Sequence, residues 1–118
     1  MGEPDSLQNG FRLYNEGQYD SALQQFESIL QKDTGNYLSK KYLGIVYLTL
    51  GNYDKALLYF QQLENNSRYS NPAIFYQALT LMKRSQPGDK RKARQLLQQV
   101  VDNDLEGKKT AQQWLKKL

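Results

Sequence analysis

The chain has 118 residues, which is enough for one domain with a buried core. Hydrophobic residues make up 39% and charged residues 24% of it, an ordinary globular mixture. It contains neither cysteine nor histidine, so thiolate nucleophiles, disulfides and the commonest general base and metal ligand are excluded. We therefore expect no catalytic residues, no metal and no cofactor, and infer that the protein is not an enzyme.

The charge of the chain is unevenly distributed. Residues 1–59 carry five Lys/Arg and seven Asp/Glu, a net −2, and residues 60–118 carry eleven and five, a net +6, which together give the total of +4. A basic half could contact nucleic acid or another acidic partner, but it also keeps a protein soluble. Since no aromatic residue lies between Lys90 and Arg94 to stack on bases, we do not expect nucleic acid as the partner and keep it as a minor alternative.

The first half of the chain predicts four helices. They run from near Pro4 to Gly17, from Asp20 to about Lys32, from the N-cap Asn36 to Gly51, and from about Tyr53 to Glu64. Proline and asparagine are common at helix starts, and glycine is common at helix ends. In the second segment the apolar residues lie on one stripe of a helix: Ala22, Leu23, Phe26, Ile29 and Leu30.

The second half predicts three more helices. A polar loop over residues 65–70 precedes a fifth helix that has Asn71 as its N-cap and Pro72 in its first turn, and that ends near Arg84. Pro87 and Gly88 break the chain before a sixth helix, which begins at Asp89. A last helix over about 107–118 carries apolar residues at helical spacing: Ala111, Trp114, Leu115 and Leu118. Because no stretch alternates as a strand does, the sequence predicts an all-α fold. No apolar run is long enough to span a membrane, so we expect no membrane insertion by this segment.

Residues in the first two helix pairs recur at a spacing of 34. The matching pairs are Gly10 and Gly44, Gly17 and Gly51, Tyr19 and Tyr53, Asp20 and Asp54, Ala22 and Ala56, and Phe26 and Phe60. Glycine inside a helix costs about 1 kcal/mol relative to alanine, so a mid-helix glycine indicates a closely packed neighbour. We expect Ala22 and Ala56 to face these glycines, and Phe26 and Phe60 to fill the space between successive pairs. A repeat of this length is typical of stacked helix–turn–helix units.

These repeats resemble the tetratricopeptide repeat (TPR) family. The family pattern of a small residue, an aromatic, Gly-x-Tyr, Ala and Phe is matched by Gly10, Leu13-Tyr14, Gly17-x-Tyr19, Ala22 and Phe26, and again by Gly44, Tyr47, Gly51-x-Tyr53, Ala56 and Phe60. A looser third repeat has Ala78, Leu81, Ala93 and Leu97 in the same roles. The resemblance implies one domain, a right-handed α-solenoid of three helix pairs over about 3–36, 37–70 and 71–104, with a capping helix over about 106–118.

The end of the chain is more faintly similar to the C-terminal soluble part of bacterial envelope TPR proteins that carry an N-terminal membrane anchor. The residues that carry this similarity are 75–79, Ala93, Leu96-Leu97, Ala111 and Trp114-Leu115. The localisation stays open, since a cytoplasmic protein and the soluble part of an anchored envelope protein both fit.

The resemblance implies a non-catalytic scaffold for protein–protein interaction, in which the first helix of each pair lines a concave groove. The ligand-facing positions of the family fall on Leu7, Phe11, Tyr14, Leu38, Lys41, Ile45, Leu48, Phe75, Leu79 and Met82. Because almost all are apolar, we expect them to bind an apolar or amphipathic peptide segment of a protein partner. The same helices are also apolar on their opposite side, so the C-terminal helix or neighbouring repeats could cover part of this face. The alternative function is homo-oligomerisation through the same face.

Overall fold

The computed structural model describes residues 4–65 and 72–118, with side chains from Ser6 onward. These ranges contain seven helices and no strand, which confirms the predicted all-α class. The helices are α1 (Pro4–Asn15), α2 (Tyr19–Lys32), α3 (Tyr37–Leu50), α4 (Tyr53–Glu64), α5 (Ala73–Arg84), α6 (Asp89–Asp102) and α7 (Lys108–Leu115).

The chain divides into two compact units, Met1–Tyr59 and Phe60–Leu118. In the first unit α1 packs against α2, and α2 packs against α3. In the second unit α5 packs against α6, and α6 packs against α7. The packed pairs α1–α2 and α5–α6 are therefore two of those that the repeat pattern predicts.

Local sequence signals account for the ends of several helices. The side chain of Asn36 caps α3, accepting a hydrogen bond from the backbone N–H of Ser39 at 2.8 Å. Gly17 and Gly51, one repeat apart, both have positive φ, at 78° and 82°. Side chains with a Cβ rarely adopt this left-handed conformation, so glycine at these positions ends α1 and α3 without strain.

Several helix ends differ from the prediction by a few residues, among them the start of α5 and the end of α7. α5 begins at Ala73, and Pro72 is its N-cap rather than a residue of its first turn. The difference is one residue, because the Pro72 carbonyl already accepts a helical hydrogen bond from Tyr76 N at 2.9 Å. α7 ends at Leu115 instead of extending to residue 118. The predicted N-cap Asn71 and most of the predicted loop over 65–70 lie outside the described residues.

The space above Gly10 is filled by the ring of Phe26. A Cβ added to Gly10 would lie 2.6 Å from the nearest atom of that ring. The repeat pattern predicts that Ala22 faces this glycine. Ala22 is fully buried, but the atoms nearest to a Cβ at Gly10 belong to Phe26, one helical turn further along α2. Phe26 also stacks on Tyr42 of α3, with ring centroids 5.5 Å apart. It therefore joins the first helix pair to α3, as expected from its repeat position.

A buried ion pair closes the turn between α5 and α6. Arg84 Nε and Nη2 each donate to one carboxylate oxygen of Asp89 at 2.8 Å, and the backbone N–H of Gln86 adds a third hydrogen bond at 2.9 Å. Asp89 is only 5% exposed. Hydrogen bonding from Arg84 lowers the pKa of Asp89 to about 2, against the opposing effect of burial. The pair thus fixes the start of α6, where the sequence predicts only a helix beginning.

Candidate peptide-binding surface

The predicted groove residues of the first unit lie on α1 and α3. We call this set the α1–α3 surface: Leu7, Phe11 and Tyr14 of α1, with Leu38, Lys41, Ile45 and Leu48 of α3. All seven side chains are partly exposed, neither fully buried nor free in solvent. The surface is therefore accessible to solvent along both helices, while each of its side chains is also partly covered by the protein.

Aromatic rings join α1 to α3 within this surface. Phe11 and Tyr42 have ring centroids 4.6 Å apart at an interplanar angle of 48°, and Tyr14 meets the edge of Tyr42 at 6.2 Å. Lys41 adds a cation 5.9 Å from the centroid of the Tyr42 ring. Phe11 is also 5.8 Å from Phe26, which anchors the cluster to α2. Tilted and edge-on ring pairs of this kind stabilise a rigid apolar platform.

Helix α3 is apolar on two sides, and the two sides have different environments. Leu43 and Val46 are fully buried and form part of the core of the first unit. Ile45 and Leu48 follow the helical spacing of Leu38 and Lys41 on the other side, where they are partly exposed. A soluble helix usually has one polar side, so the second apolar stripe needs an explanation beyond the core.

The sequence-based site omits one residue that the structure brings into the middle of this surface, Tyr42. The 34-residue repeat could have indicated Tyr42, because a second tyrosine, Tyr76, lies 34 residues further along the chain. In the second unit Tyr76 stacks on Phe60 with centroids 5.0 Å apart at 10°, as Tyr42 stacks on Phe26 at 22°. A tyrosine at this repeat position therefore packs on the phenylalanine of the preceding second helix in both units.

The predicted groove residues of the second unit have a different environment. The ring of Phe75 stacks on Trp114 of α7, with centroids 5.1 Å apart. A Cβ on Gly107, just before α7, would lie 2.7 Å from the same ring. Met82 lines a small cavity of about 140 Å³ together with Leu118, and Leu79 is partly buried. The C-terminal helix therefore covers part of Phe75, which is one of the possibilities that the sequence leaves open.

Metal clusters and membrane-spanning helices were two other features to consider in the described residues. No group of three or more acidic side chains in residues 6–65 and 72–118 could hold a metal ion. Within the described ranges, every helix is too short or too polar to span a lipid bilayer.

Comparison with known families agrees with the repeat pattern. Two family models, each described as tetratricopeptide repeat, match residues 13–70 and 72–104. No curated protein matches the chain. Tetratricopeptide repeats are generally protein–protein interaction modules and typically act as non-catalytic scaffolds. Since the two matched segments cover most of the sequence, and the described residues form the expected helix pairs, the chain belongs to the tetratricopeptide repeat family.

Proposed function

We propose that the α1–α3 surface binds an apolar or amphipathic segment of a partner protein. The observation that carries this proposal is the second apolar stripe of α3, with Ile45 and Leu48 partly exposed opposite the buried Leu43 and Val46. Exposed apolar area of this kind favours association, since covering it removes it from water.

The aromatic platform supports a helical or extended peptide as the ligand. Phe11, Tyr14 and Tyr42 are held by one another, so little side-chain entropy would be lost when a peptide covers them. Lys41 provides a positive charge beside the platform, at 5.9 Å from the Tyr42 ring. We infer a ligand whose apolar face is flanked by a carboxylate that can pair with this lysine.

We assign fewer contacts with the partner peptide to the predicted groove residues of α5, which are Phe75, Leu79 and Met82. Trp114 already stacks on one face of Phe75, so less of this ring is available to a ligand. We therefore assign the main contact to the first unit.

A titration followed by two-dimensional NMR tests the proposal. The ligand is a synthetic helical peptide with leucines on one face and glutamates at its edge, and the control is the same composition in scrambled order. We expect saturable shifts for α1 and α3 residues of the platform with the ordered peptide alone. Equal shifts with both peptides, or shifts confined to α5, would contradict the proposal.

Homo-oligomerisation through the same surface is the alternative function. Light scattering coupled to gel filtration distinguishes the two functions, because the mass of a self-associating protein increases with its concentration in the absence of any peptide.

Binding of nucleic acid by the basic second half is tested with a random DNA duplex, since such binding must weaken steeply as the salt concentration is raised.

A further inference from the structure

A second concave feature of the first unit lies away from the α1–α3 surface. It is an open cleft of about 320 Å³ between the C-terminal half of α2 and Tyr59 of α4. Its lining residues are Glu27, Leu30, Gln31, Thr34 and Tyr59. The volume is at the lower end of the range for ligand pockets, about 300–1,000 Å³, so it suits one side chain better than a whole cofactor.

Tyr59, one of the residues that line this cleft, stacks on a second tyrosine, Tyr47. Tyr59 lies parallel to Tyr47, with centroids 5.9 Å apart at 6°, and Tyr47 donates its hydroxyl hydrogen bond to Glu27 Oε1 at 3.3 Å. Burial raises the pKa of both tyrosines, and the nearby charge of Glu27 raises it further. The carboxylate of Glu27 is therefore hydrogen-bonded to Tyr47 and close enough to Tyr59 for its charge to raise the pKa of that phenol.

In the part of the chain that the structure describes, no lysine or arginine forms an ion pair with Glu27. Glu27 is also exposed to solvent. Tyr47, the partner of Tyr59 in this stack, already has a cation over its ring, since Lys55 Nζ lies 5.3 Å from the ring centroid. A carboxylate, an aromatic wall and an aliphatic side chain, Leu30, thus converge on one cleft.

We propose that this cleft binds an arginine side chain of a partner protein. A guanidinium is planar and can stack on Tyr59 while its N–H groups pair with the carboxylate of Glu27. The remaining donors have two further acceptors in the lining, the amide oxygen of Gln31 and the hydroxyl of Thr34. Leu30 provides the apolar contact for the methylene groups of the arginine. A lysine could form an ion pair with the carboxylate, but its ammonium group is not planar and has fewer N–H donors, so it would stack less well on Tyr59 and would satisfy fewer of the acceptors.

The inference is independent of the proposed peptide site, because the two surfaces share no residue. We test it on the full chain with three blocked tripeptides, Gly-X-Gly, in which X is arginine, lysine or citrulline. Citrulline keeps the shape of arginine without its charge. NMR titration should give saturable shifts at Leu30, Thr34 and Tyr59 with the arginine peptide, weaker ones with lysine, and none with citrulline.

Two variants and a control make the test specific. In Glu27→Gln the new side chain can still accept the hydrogen bond from Tyr47. This variant should bind the arginine peptide about fivefold more weakly, as expected for the loss of a partly screened ion pair. Asp20→Asn removes the same charge from the same helix outside the cleft and should leave the affinity unchanged. Tyr59→Leu should remove the preference for arginine over lysine, provided that its thermal melt stays cooperative.

Three results would overturn the proposal. The first is equal binding of the arginine and citrulline peptides. The second is an equal loss of affinity in Glu27→Gln and Asp20→Asn, which would reflect net charge alone. The third is an arginine response confined to α1 and α3, which would belong to the peptide surface instead.

Discussion

Trp114 of α7 stacks on Phe75 of α5, with ring centroids 5.1 Å apart at an interplanar angle of 25°. The contact connects the last helix to the first helix of the third repeat, and Gly107 closes on the same phenylalanine from the start of α7. α7 also packs along α6, and Ala111 of α7 is fully buried. The C-terminal helix is therefore a structural part of the second unit.

Trp114→Ala should destabilise the second unit by about 2 kcal/mol, because it removes a ring stack and exposes Phe75. Urea unfolding followed by circular dichroism measures the change. Trp114→Phe retains a stacked ring, so its unfolding free energy should fall by less than half as much as that of Trp114→Ala. An alanine variant as stable as the parent would mean that α7 contributes nothing to this unit.

Gly10→Leu should destabilise the first unit severely, because the added side chain would meet the Phe26 ring at 2.6 Å from its first atom. Overpacking typically costs about 1–3 kcal/mol. The control is Gly35→Leu, where the one atom that a Cβ would approach lies 4.0 Å away, and where we expect a change below about 0.5 kcal/mol. Thermal melts that shift equally for the two variants would contradict the packing of Phe26 on α1. We predict a similar effect for Gly44→Leu, one repeat further on.

Asp89→Asn should destabilise the protein in a pH-dependent way. The folded pKa of Asp89, about 2, lies below the ordinary value of 3.8, so ionised Asp89 stabilises the folded state. This contribution is fully present above pH 3.8 and is lost as the pH falls through about 2. The difference in unfolding free energy between parent and variant should therefore shrink over this range, in urea titrations at successive pH values.

The matched control for that experiment is Asp104→Asn. Asp104 pairs with Lys108 at 3.3 Å, but its side chain is 83% exposed, and such pairs contribute little to stability. Its removal should change the unfolding free energy by less than about 0.5 kcal/mol at any pH. A loss as large as that of Asp89→Asn would show that burial of the carboxylate is not the reason for the effect.

Replacing Ile45 and Leu48 together with glutamine should abolish binding of the amphipathic peptide. Both side chains are partly exposed on the α1–α3 surface, so the helical circular dichroism and the cooperative melt should be retained. Leu50→Gln is the control, because Leu50 is 46% exposed on the same helix but away from the stripe. If the double variant loses its cooperative melt, the stripe is a structural core and the binding proposal fails.

Most of the helical architecture follows from local features of the sequence. Asn36 caps α3 through its own side chain, and Gly51 ends the same helix in a conformation that other residues rarely adopt. The 34-residue spacing repeats these signals, so the sequence alone predicts the helix pairs and the family. The buried positions of the second helices follow as well, since Ala22 and Phe26 lie on one helical stripe.

Which residues of two helices touch depends on the length and direction of each side chain. The spacing of apolar residues in the sequence gives the face of the helix but not this length and direction. Only the tertiary structure decided that Phe26, rather than Ala22, supplies the atoms nearest to Gly10, because a ring extends beyond the turn that carries it. It likewise decided that Trp114 covers part of Phe75 and that Arg84 pairs with Asp89 across a turn. The sequence determined which faces of the helices are apolar. The packing determined which of them are covered, because covering requires residues that are distant along the chain to meet in space.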